Sequence, residues 1–160
     1  MQKPITEQRL KNIALFYLER FDASSTKLRQ VLKRRIQRQK MQGMIINNQA
    51  SKWVENIIQE MMRLGYINDE RYIENSVRRL SEQGKSTSFI RQKLLSEGLP
   101  SEIIEPFLHP ESDLEQARLF IKKKHLGQSW EKDLAKLARA GFSYETAKQA
   151  LEEANVIKYQ

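Results

Sequence analysis

The amino-acid sequence predicts an all-α protein, an elongated tandem array of three three-helix repeats. Charged residues make up 30% of its 160 residues, whereas six are glycine and four are proline. The alternation of apolar and polar residues that marks β-strands is nearly absent. This composition is typical of a helical protein, and internal matches of the sequence indicate that one helical unit recurs along the chain.

Two pairs of matching segments carry the repeat. Residues 24–32 read SSTKLRQVL and residues 86–94 read STSFIRQKL, with four of nine positions identical. Residues 93–102, KLLSEGLPSE, are echoed by residues 136–145, KLARAGFSYE. A three-helix unit this small buries little apolar surface alone, so we expect neighbouring units to stack side by side. The predicted units are residues 1–67, residues 68–111 and residues 112–160.

Three helices are predicted in the first unit. Thr6 suits the N-cap of the first helix, with Ile5 and Leu10 placed to form a hydrophobic staple across it. The polar segment 37–48, between the second and third helices, is either an insertion or an extension of the helix. The apolar stripes comprise Leu10, Ile13, Ala14, Tyr17, Leu18 and Phe21 in the first helix, Leu28, Val31, Leu32 and Ile36 in the second, and Val54, Ile57, Ile58, Met61 and Leu64 in the third.

The boundary between the first two units lies at residues 65–70, GYINDE. Gly65 suits a left-handed stop of the third helix, and Asn68 suits the N-cap of the fourth. Asp69 and Glu70 then lie at the positive end of the helix dipole. Capping explains this adjacent pair of carboxylates better than acid–base catalysis does, because neighbouring side chains of a helix point in different directions.

The second unit holds the fourth, fifth and sixth helices. The fourth ends at Gly84, and the fifth spans about residues 87–97. A short sixth helix begins near Ser101, and Pro106 stops it. The segment 109–112 separates this unit from the third.

The third unit holds the seventh, eighth and ninth helices. We expect Asp113 to cap the seventh, which is followed by an eighth at about residues 129–140 and a ninth at about residues 144–154. The glycine turn near Gly141 is kept here, whereas the serine and arginine–glutamine pattern of the earlier repeats is lost.

Composition excludes several classes of protein. The chain has no cysteine, so it forms neither a disulfide nor a thiolate metal site. No segment approaches the roughly 20 apolar residues of a membrane span, and the first residues lack the apolar stretch of a signal peptide. We expect a cytoplasmic monomer with no membrane partner.

Signatures of catalysis and of cofactor binding are also missing. His109 and His125 are the two histidines, and neither lies in a metal-binding spacing such as H-E-x-x-H. The glycine patterns of a P-loop or a dinucleotide site are absent, so the chain is not expected to bind or hydrolyse ATP. We therefore expect no enzyme activity, no metal and no cofactor.

The positive charge of the chain is concentrated in one window. The formal net charge is +8, and residues 24–53 hold eight basic residues and no acidic one, whereas the remainder holds 20 of each sign. Eight like charges without a counterion repel each other, which favours contact with nucleic acid or an acidic protein face over an ordinary solvated helix face. The eight are Lys27, Arg29, Lys33, Arg34, Arg35, Arg38, Lys40 and Lys52.

Two further basic sets are weaker candidates for the same contact. The set in the second unit has acidic residues interspersed, which favours a mixed solvated face. Arg91 repeats Arg29, so a structural pairing with a neighbouring helix end is favoured for it, and solvation is favoured for the set in the third unit. The sets are Arg78, Arg79, Lys85, Arg91 and Lys93 in the second unit, and Lys122, Lys123 and Lys124 in the third.

Four aromatic residues suggest a base-stacking platform as one interpretation. Each lies on or beside an apolar stripe, so packing in the core is favoured instead. Trp130, near a helix start, leaves both interpretations open. The four are Trp53, Tyr66, Tyr72 and Phe89.

Motifs spread over the first two units carry a family resemblance. Residues 64–72 read LGYINDERY, residues 77–79 read VRR, and residues 90–94 read IRQKL ahead of Gly98-Leu99. With Ala14, Tyr17-Leu18, Leu28-Arg29 and Leu32 of the first unit, these motifs resemble the RecX family. The likeness covers nearly the whole chain, is most specific from residue 64 to residue 99, and is weak after residue 113. The segment 37–48 and the third unit depart most from the family pattern.

The resemblance implies a regulator of RecA, the bacterial recombinase that coats single-stranded DNA as a helical filament. Family members lie in the groove of that filament, usually limit its growth and activity, and many also bind single- or double-stranded DNA. The implied setting is DNA recombination, DNA repair and the SOS response. The residues of the three basic sets named above, with the exception of Lys52, are expected to contact the filament or the DNA.

Two other functions stay open on the sequence. One is a stand-alone DNA-binding module of tandem three-helix units, whose basic second helix lies in a groove or on phosphates. The other is a helical scaffold for an unrelated protein. A comparison of binding to bare and to RecA-coated DNA separates these functions.

Overall fold

The structure, a computed structural model, describes the backbone of residues 4–158 and the side chains of residues 4–155. Within that range nine α-helices and two short 3₁₀ turns form the fold, and no strand is present. The prediction of an all-α protein is confirmed. The helices are α1 Glu7–Leu18, α2 Ser25–Met41, α3 Ala50–Arg63, α4 Asp69–Glu82, α5 Thr87–Ser96, α6 Ser101–Ile104, α7 Asp113–Lys124, α8 Trp130–Arg139 and α9 Tyr144–Lys158, and the 3₁₀ turns are Glu105–Phe107 and Pro110–Ser112.

The chain divides into two compact units. The first contains the residues up to Tyr72 together with Glu97–Leu99, and the second contains Ile73–Ser96 and the residues from Pro100 onward. Helix α4 therefore begins in the first compact unit and continues in the second. The division into three repeats stays a prediction of the sequence pattern.

The first compact unit is built on α1, α2 and α3, whose predicted apolar stripes form its core. Thr6 Oγ1 accepts the N–H of Arg9 at 3.2 Å, which confirms the predicted cap of α1. The stripe of α1 is wrong at Phe21, which is 55% exposed because the helix ends three residues earlier. The stripe of α3 is wrong at Leu64, which is 48% exposed because it follows the last residue of that helix. The core comprises Ile5, Leu10, Ala14, Leu28, Leu32, Val54, Ile57, Ile58, Met61 and Ile67.

The polar segment 37–48 is partly helix and partly turn. Residues 37–41 extend α2, and residues 42–49 lead into α3. Gly43 in this turn has a φ of +76°, and a Cβ at that position would have no atom within 4 Å. The extension lengthens α2 to 17 residues, which carries its basic side chains well beyond the first turns of the helix.

The repeated serines of the sequence cap repeated helices. Ser24 Oγ accepts the N–H of Lys27 at 3.2 Å at the start of α2. Ser86 Oγ accepts the N–H of Phe89 at 3.1 Å at the start of α5 and donates to the carbonyl of Ala140 at 2.7 Å. Identical residues in the two matching segments therefore have the same local role.

The residue after each capping serine contacts an aspartate at the start of a later helix. The N–H and hydroxyl of Ser25 each donate to the Asp69 carboxylate at 2.6 Å. The N–H and hydroxyl of Thr87 donate to Asp113 Oδ1 at 2.8 and 2.7 Å. The prediction that Asp113 caps its own helix α7 is wrong, because its carboxylate accepts the N–H of Thr87 instead. That N–H lies in the first turn of α5 and has no partner within the helix.

A glycine is required where α8 turns into α9. Gly141 has a φ of +90°, and a Cβ there would lie 2.6 Å from the hydroxyl oxygen of Ser86. A larger residue would therefore be strained in its backbone and would collide with a side chain that is itself held by two hydrogen bonds. This close approach explains why the glycine turn recurs in the third repeat.

A buried carboxylate holds the turn between α7 and α8. Asp133, 3% exposed, accepts the N–H groups of Gly127, Gln128 and Ser129 at 2.8, 3.1 and 3.3 Å, and Lys136 Nζ lies 3.1 Å away. Burial raises the pKa of Asp133, but these donors together outweigh burial and lower the pKa to about 2. The carboxylate is therefore ionised at neutral pH and fixes the turn.

Candidate nucleic-acid interface

Helix α2 carries seven of the eight residues of the first basic set, and the eighth, Lys52, is exposed on α3. Leu28 and Leu32 are fully buried in the core of the first compact unit, so the opposite side of the helix is held toward solvent. Lys27, Arg29 and Arg35 are half-buried at the flanks of this side. The exposed basic side chains of the helix, here called the basic face of α2, are Lys33, Arg34, Arg38 and Lys40.

The basic face of α2 is not neutralised by the fold. Within the described side chains, no ion pair involves any of its four residues. Arg38 and Lys40 lie in the last turn of the helix, where the dipole presents about half a negative charge. This partial charge offsets a small part of the four positive charges, so the face remains available to an anionic partner.

Arg29 differs from its neighbours because it is held by a carboxylate. Its Nε and Nη2 donate to Glu55 of α3 at 2.9 to 3.1 Å. These hydrogen bonds lower the pKa of Glu55, and the charges of Arg29 and Lys33 act in the same direction against the effect of burial. Arg29 therefore joins α2 to α3 and is a poor candidate for contact with a partner.

Arg91, which matches Arg29 in the sequence repeat, is also held by a carboxylate. Arg91 Nε and Nη2 donate to the two carboxylate oxygens of Glu105 at 2.7 and 3.0 Å. Hydrogen bonding to Glu105 raises the pKa of Arg91 and lowers that of Glu105. The structural pairing expected for Arg91 is confirmed, and it links α5 to the turn that follows α6.

The other members of the second basic set fall into two groups. Arg78 and Arg79 of α4 are exposed. Lys85 is half-buried, with its Nζ 4.9 Å from the centroid of the Phe89 ring. Lys93 is half-buried on α5. The set therefore offers two exposed arginines rather than a continuous basic surface.

The third basic set occupies the last turn of α7. Lys122, Lys123 and Lys124 are exposed, and His125, which follows the last residue of the helix, has a φ of +51°. Lys123 Nζ donates to the carbonyl of Glu82 at 3.1 Å, which satisfies the end of α4. Lysines in a last turn also favour the negative end of the dipole, so this set has a structural role besides any contact with a partner.

The predicted burial of the aromatic residues is correct for two of the four. Trp53 packs on the core of the first compact unit, and Tyr72 is half-buried with its hydroxyl donating to Glu97 at 3.0 Å. Core packing is wrong for Tyr66, which is 54% exposed, and for Phe89, which is 40% exposed. Tyr66 follows Gly65, whose left-handed backbone ends α3, and so lies in a turn. Phe89 precedes the buried Ile90 on α5 and therefore lies on a neighbouring face of that helix. Trp130 is 39% exposed.

An exposed aromatic residue of α1 was not predicted. Phe16 is 56% exposed, and the Arg20 guanidinium lies 4.0 Å from the centroid of its ring. The signal was present in the sequence, because Phe16 lies about 200° around the helix from the buried Ala14. Exposed aromatic and arginine side chains of this kind are enriched at binding surfaces.

Two of the acidic and histidine side chains considered above contact neighbouring residues of the fold. Asp69 is engaged by Ser25, and His109 is exposed with its Nδ1 3.3 Å from Glu111. No group of three or more histidine, aspartate or glutamate side chains that could hold a metal is found among the residues described. In the same part of the chain, every helix is too short or too polar to cross a membrane.

Comparison with known proteins places these features in a family. A family model described as "RecX, second three-helix domain" matches residues 68–106. A regulatory protein RecX of Myxococcus xanthus (strain DK1622) is 36% identical over 158 residues, which cover 89% of this chain and 84% of that protein. A regulatory protein RecX of Legionella pneumophila (strain Corby) is 40% identical over 60 residues, which cover 38% of this chain and 40% of that protein.

A solved structure agrees with these sequence matches. The crystal structure of RecX from Lactobacillus salivarius has a TM-score of 0.69 to this chain at 21% sequence identity, with 94% of this chain and 97% of that chain covered. At this identity the likeness establishes a shared helical-repeat fold. Since the Myxococcus relative matches over most of both lengths, the chain belongs to the RecX family of regulatory proteins.

Proposed function

We propose that this protein regulates RecA by binding along the groove of the RecA–DNA filament, where it limits filament growth and activity. Family membership supports a regulatory role. The basic face of α2 supports contact with a polyanionic assembly, because none of its four residues forms an ion pair within the described side chains; the charge of Lys33 also acts on Glu55. This exposed basic face is the observation that carries the proposal.

Counterion release provides the energy for such a contact. Each phosphate neutralised by a lysine or arginine releases condensed cations from the nucleic acid. Four contacts from the basic face predict that log K falls with log salt with a slope of about −3 on single-stranded DNA, at about 0.7 per contact. Contacts from other parts of the chain then add as intramolecular events at high effective concentration.

The exposed basic residues form the proposed contact set. Arg29 and Arg91 are left out because each is held by a carboxylate of its own fold. The half-buried Lys27, Arg35, Lys85 and Lys93, and Lys123 with its carbonyl partner, are secondary members. The main members are Lys33, Arg34, Arg38, Lys40, Arg78, Arg79, Lys122 and Lys124.

A charge reversal in α2 tests the binding surface. The variant Arg34→Glu/Arg38→Glu is titrated onto RecA-coated single-stranded DNA at physiological salt, beside a control with the same change of charge, Arg63→Glu/Lys132→Glu. Both control residues are exposed and lie outside the contact set. We expect the α2 variant to bind about tenfold more weakly or worse, with a salt slope flatter by about 1.4. Binding equal to that of the control protein would remove α2 from the interface.

The regulatory role is tested by the ATPase activity of RecA on single-stranded DNA. Addition of the wild-type chain is expected to lower the rate of ATP hydrolysis, and the α2 variant to lower it less. An unchanged rate at several-fold excess of the chain over RecA would contradict the proposal. An increased rate would keep RecA as the partner and reverse the sign of the regulation.

The basic face of α2 also favours a second function, that of a stand-alone DNA-binding module. Under this alternative, the chain binds bare single- or double-stranded DNA as tightly as RecA-coated DNA or more tightly. Under the proposed function it prefers the coated form. The same titration, carried out on the three substrates in parallel at one salt concentration, decides between them.

A further inference from the structure

A groove in the second compact unit combines an apolar floor with a basic rim. It lies between the last turn of α7 and the last turns of α8 and has a volume of about 370 Å³. The residues of the floor and the rim belong to α7, to α8 and to the residues that directly follow these two helices. The floor consists of Phe120, Leu126 and Ala140, and the rim consists of Lys124, Lys136 and Arg139.

The floor is anchored in the hydrophobic core beneath it. Leu126 is 7% exposed and belongs to that core. The Phe120 ring packs edge-to-face on Phe142, with ring centroids 5.9 Å apart. Because these side chains are held from below, the groove is already formed and does not have to be ordered when a ligand binds.

Two of the three basic side chains of the rim form no ion pair with a described residue. Lys124 makes no ion pair with any described residue, and Arg139 uses its Nε on the carbonyl of Ala135 at 3.1 Å, so its two terminal amino groups remain. Lys136 is half exposed and lies 3.1 Å from Asp133. Two uncommitted cations therefore flank an apolar floor, which complements a ligand that has an apolar group between carboxylates.

We propose that this groove is a docking site for an acidic peptide segment of a protein partner, with one apolar side chain on the floor and carboxylates on Lys124 and Arg139. A protein segment fits better than nucleic acid, because two of the three floor residues are aliphatic and base binding needs an exposed ring face. The volume accommodates one or two side chains. Where the partner is taken to be RecA, the inference rests on the proposed function.

A peptide titration tests the groove without RecA. The probe is a synthetic pentapeptide with a central leucine between pairs of acidic residues, added to the isotope-labelled full chain and followed by amide chemical shifts. We expect shifts to cluster around Lys124, Leu126 and Arg139. Lys124→Glu/Arg139→Glu should weaken binding about tenfold, and Lys124→Gln/Arg139→Gln by less. Shifts centred elsewhere, or equal affinity of wild type and variants, overturn the proposal.

The rim residue outside the proposed contact set, Arg139, is then tested on the filament. Arg139→Glu is expected to weaken binding to RecA-coated DNA severalfold and to leave binding to bare DNA within about twofold, as the control Arg63→Glu/Lys132→Glu does on both. An equal loss on both substrates means that the groove contacts nucleic acid, which overturns the inference. If the wild-type chain shows no preference for coated DNA, the proposed function fails, and the peptide titration still decides the groove.

Discussion

The contact between Ser25 and Asp69 is expected to be a main source of stability in the first compact unit. The substitution Asp69→Ala removes a carboxylate that accepts the N–H and the hydroxyl of Ser25, each at 2.6 Å. Ser25 is 7% exposed, so water cannot readily replace the lost acceptor. The substitution therefore leaves two buried donors without a partner at the first turn of α2.

The expected loss follows from these hydrogen bonds. A hydrogen bond to a charged group contributes about 1.5–3 kcal/mol, and a carboxylate at the positive end of α2 contributes roughly 0.5 kcal/mol more. Partial relaxation of the site lowers the sum, so we expect Asp69→Ala to reduce the free energy of unfolding by about 3 kcal/mol. In a chain of this size that change corresponds to roughly 6–12 °C in Tm.

The assay uses the position of the tryptophans. Trp53 lies in the first compact unit with Ser25 and Asp69, whereas Trp130 lies in the second. In a Trp130→Phe background, urea unfolding followed by fluorescence reports the transition of the first unit. The matched control is Glu70→Ala, which removes an exposed carboxylate from the same turn and should cost about 0.5 kcal/mol through the helix dipole.

The comparison of the two carboxylates decides the interpretation. If Asp69→Ala and Glu70→Ala shift the urea midpoint equally, the hydrogen bonds to Ser25 add nothing beyond a general N-terminal charge effect. The structural account of the serine repeat would then be refuted. Asp69→Asn provides a further check, since it keeps an acceptor, removes the charge and should give an intermediate loss.

Three further predictions concern single sites. Asp133→Asn should lower the free energy of unfolding by about 2 kcal/mol at pH 7. The pKa of Asp133 in the folded protein is about 2, which is below its value in the unfolded chain. The greater stability of the wild type is therefore present above about pH 4, and acid unfolding should show that it is lost as pH falls toward 2. Gly141→Ala should cost about 3 kcal/mol in urea unfolding, against about 1 for the unobstructed Gly43→Ala. Arg91→Ala should lower Tm by a few degrees, since it breaks the pair with Glu105, while DNA affinity stays within about twofold.

Much of the fold follows from local sequence signals. The stop at Gly65, the cap at Asn68 and the short helix ended near Pro106 are confirmed, because each depends on a few neighbouring residues. The errors arise where the partner is distant in sequence. Asp113 has a local role that looks satisfactory as a cap, but Thr87, 26 residues earlier, takes its carboxylate.

The candidate site shows the same division. The excess of positive charge in α2 is visible in composition alone, and helical periodicity places Arg34 and Arg38 away from Leu28 and Leu32. Periodicity does not show which cations are already paired. Arg29 and Arg91 occupy matching positions, and each forms an ion pair within the fold, Arg29 with Glu55 and Arg91 with Glu105. The pattern of charges in the sequence does not distinguish such a paired arginine from one that contacts a partner.

The sequence by itself determined that this protein is helical, where most helices begin and end, that one segment is strongly basic, and which family it resembles. Those properties depend on backbone propensity, capping and period, which act over a few residues. Only the tertiary structure decided that Ser25 meets Asp69, that Arg29 meets Glu55, and that a basic rim surrounds an apolar groove. These arrangements depend on packing between distant segments, and the distance between two side chains is set by the fold as a whole.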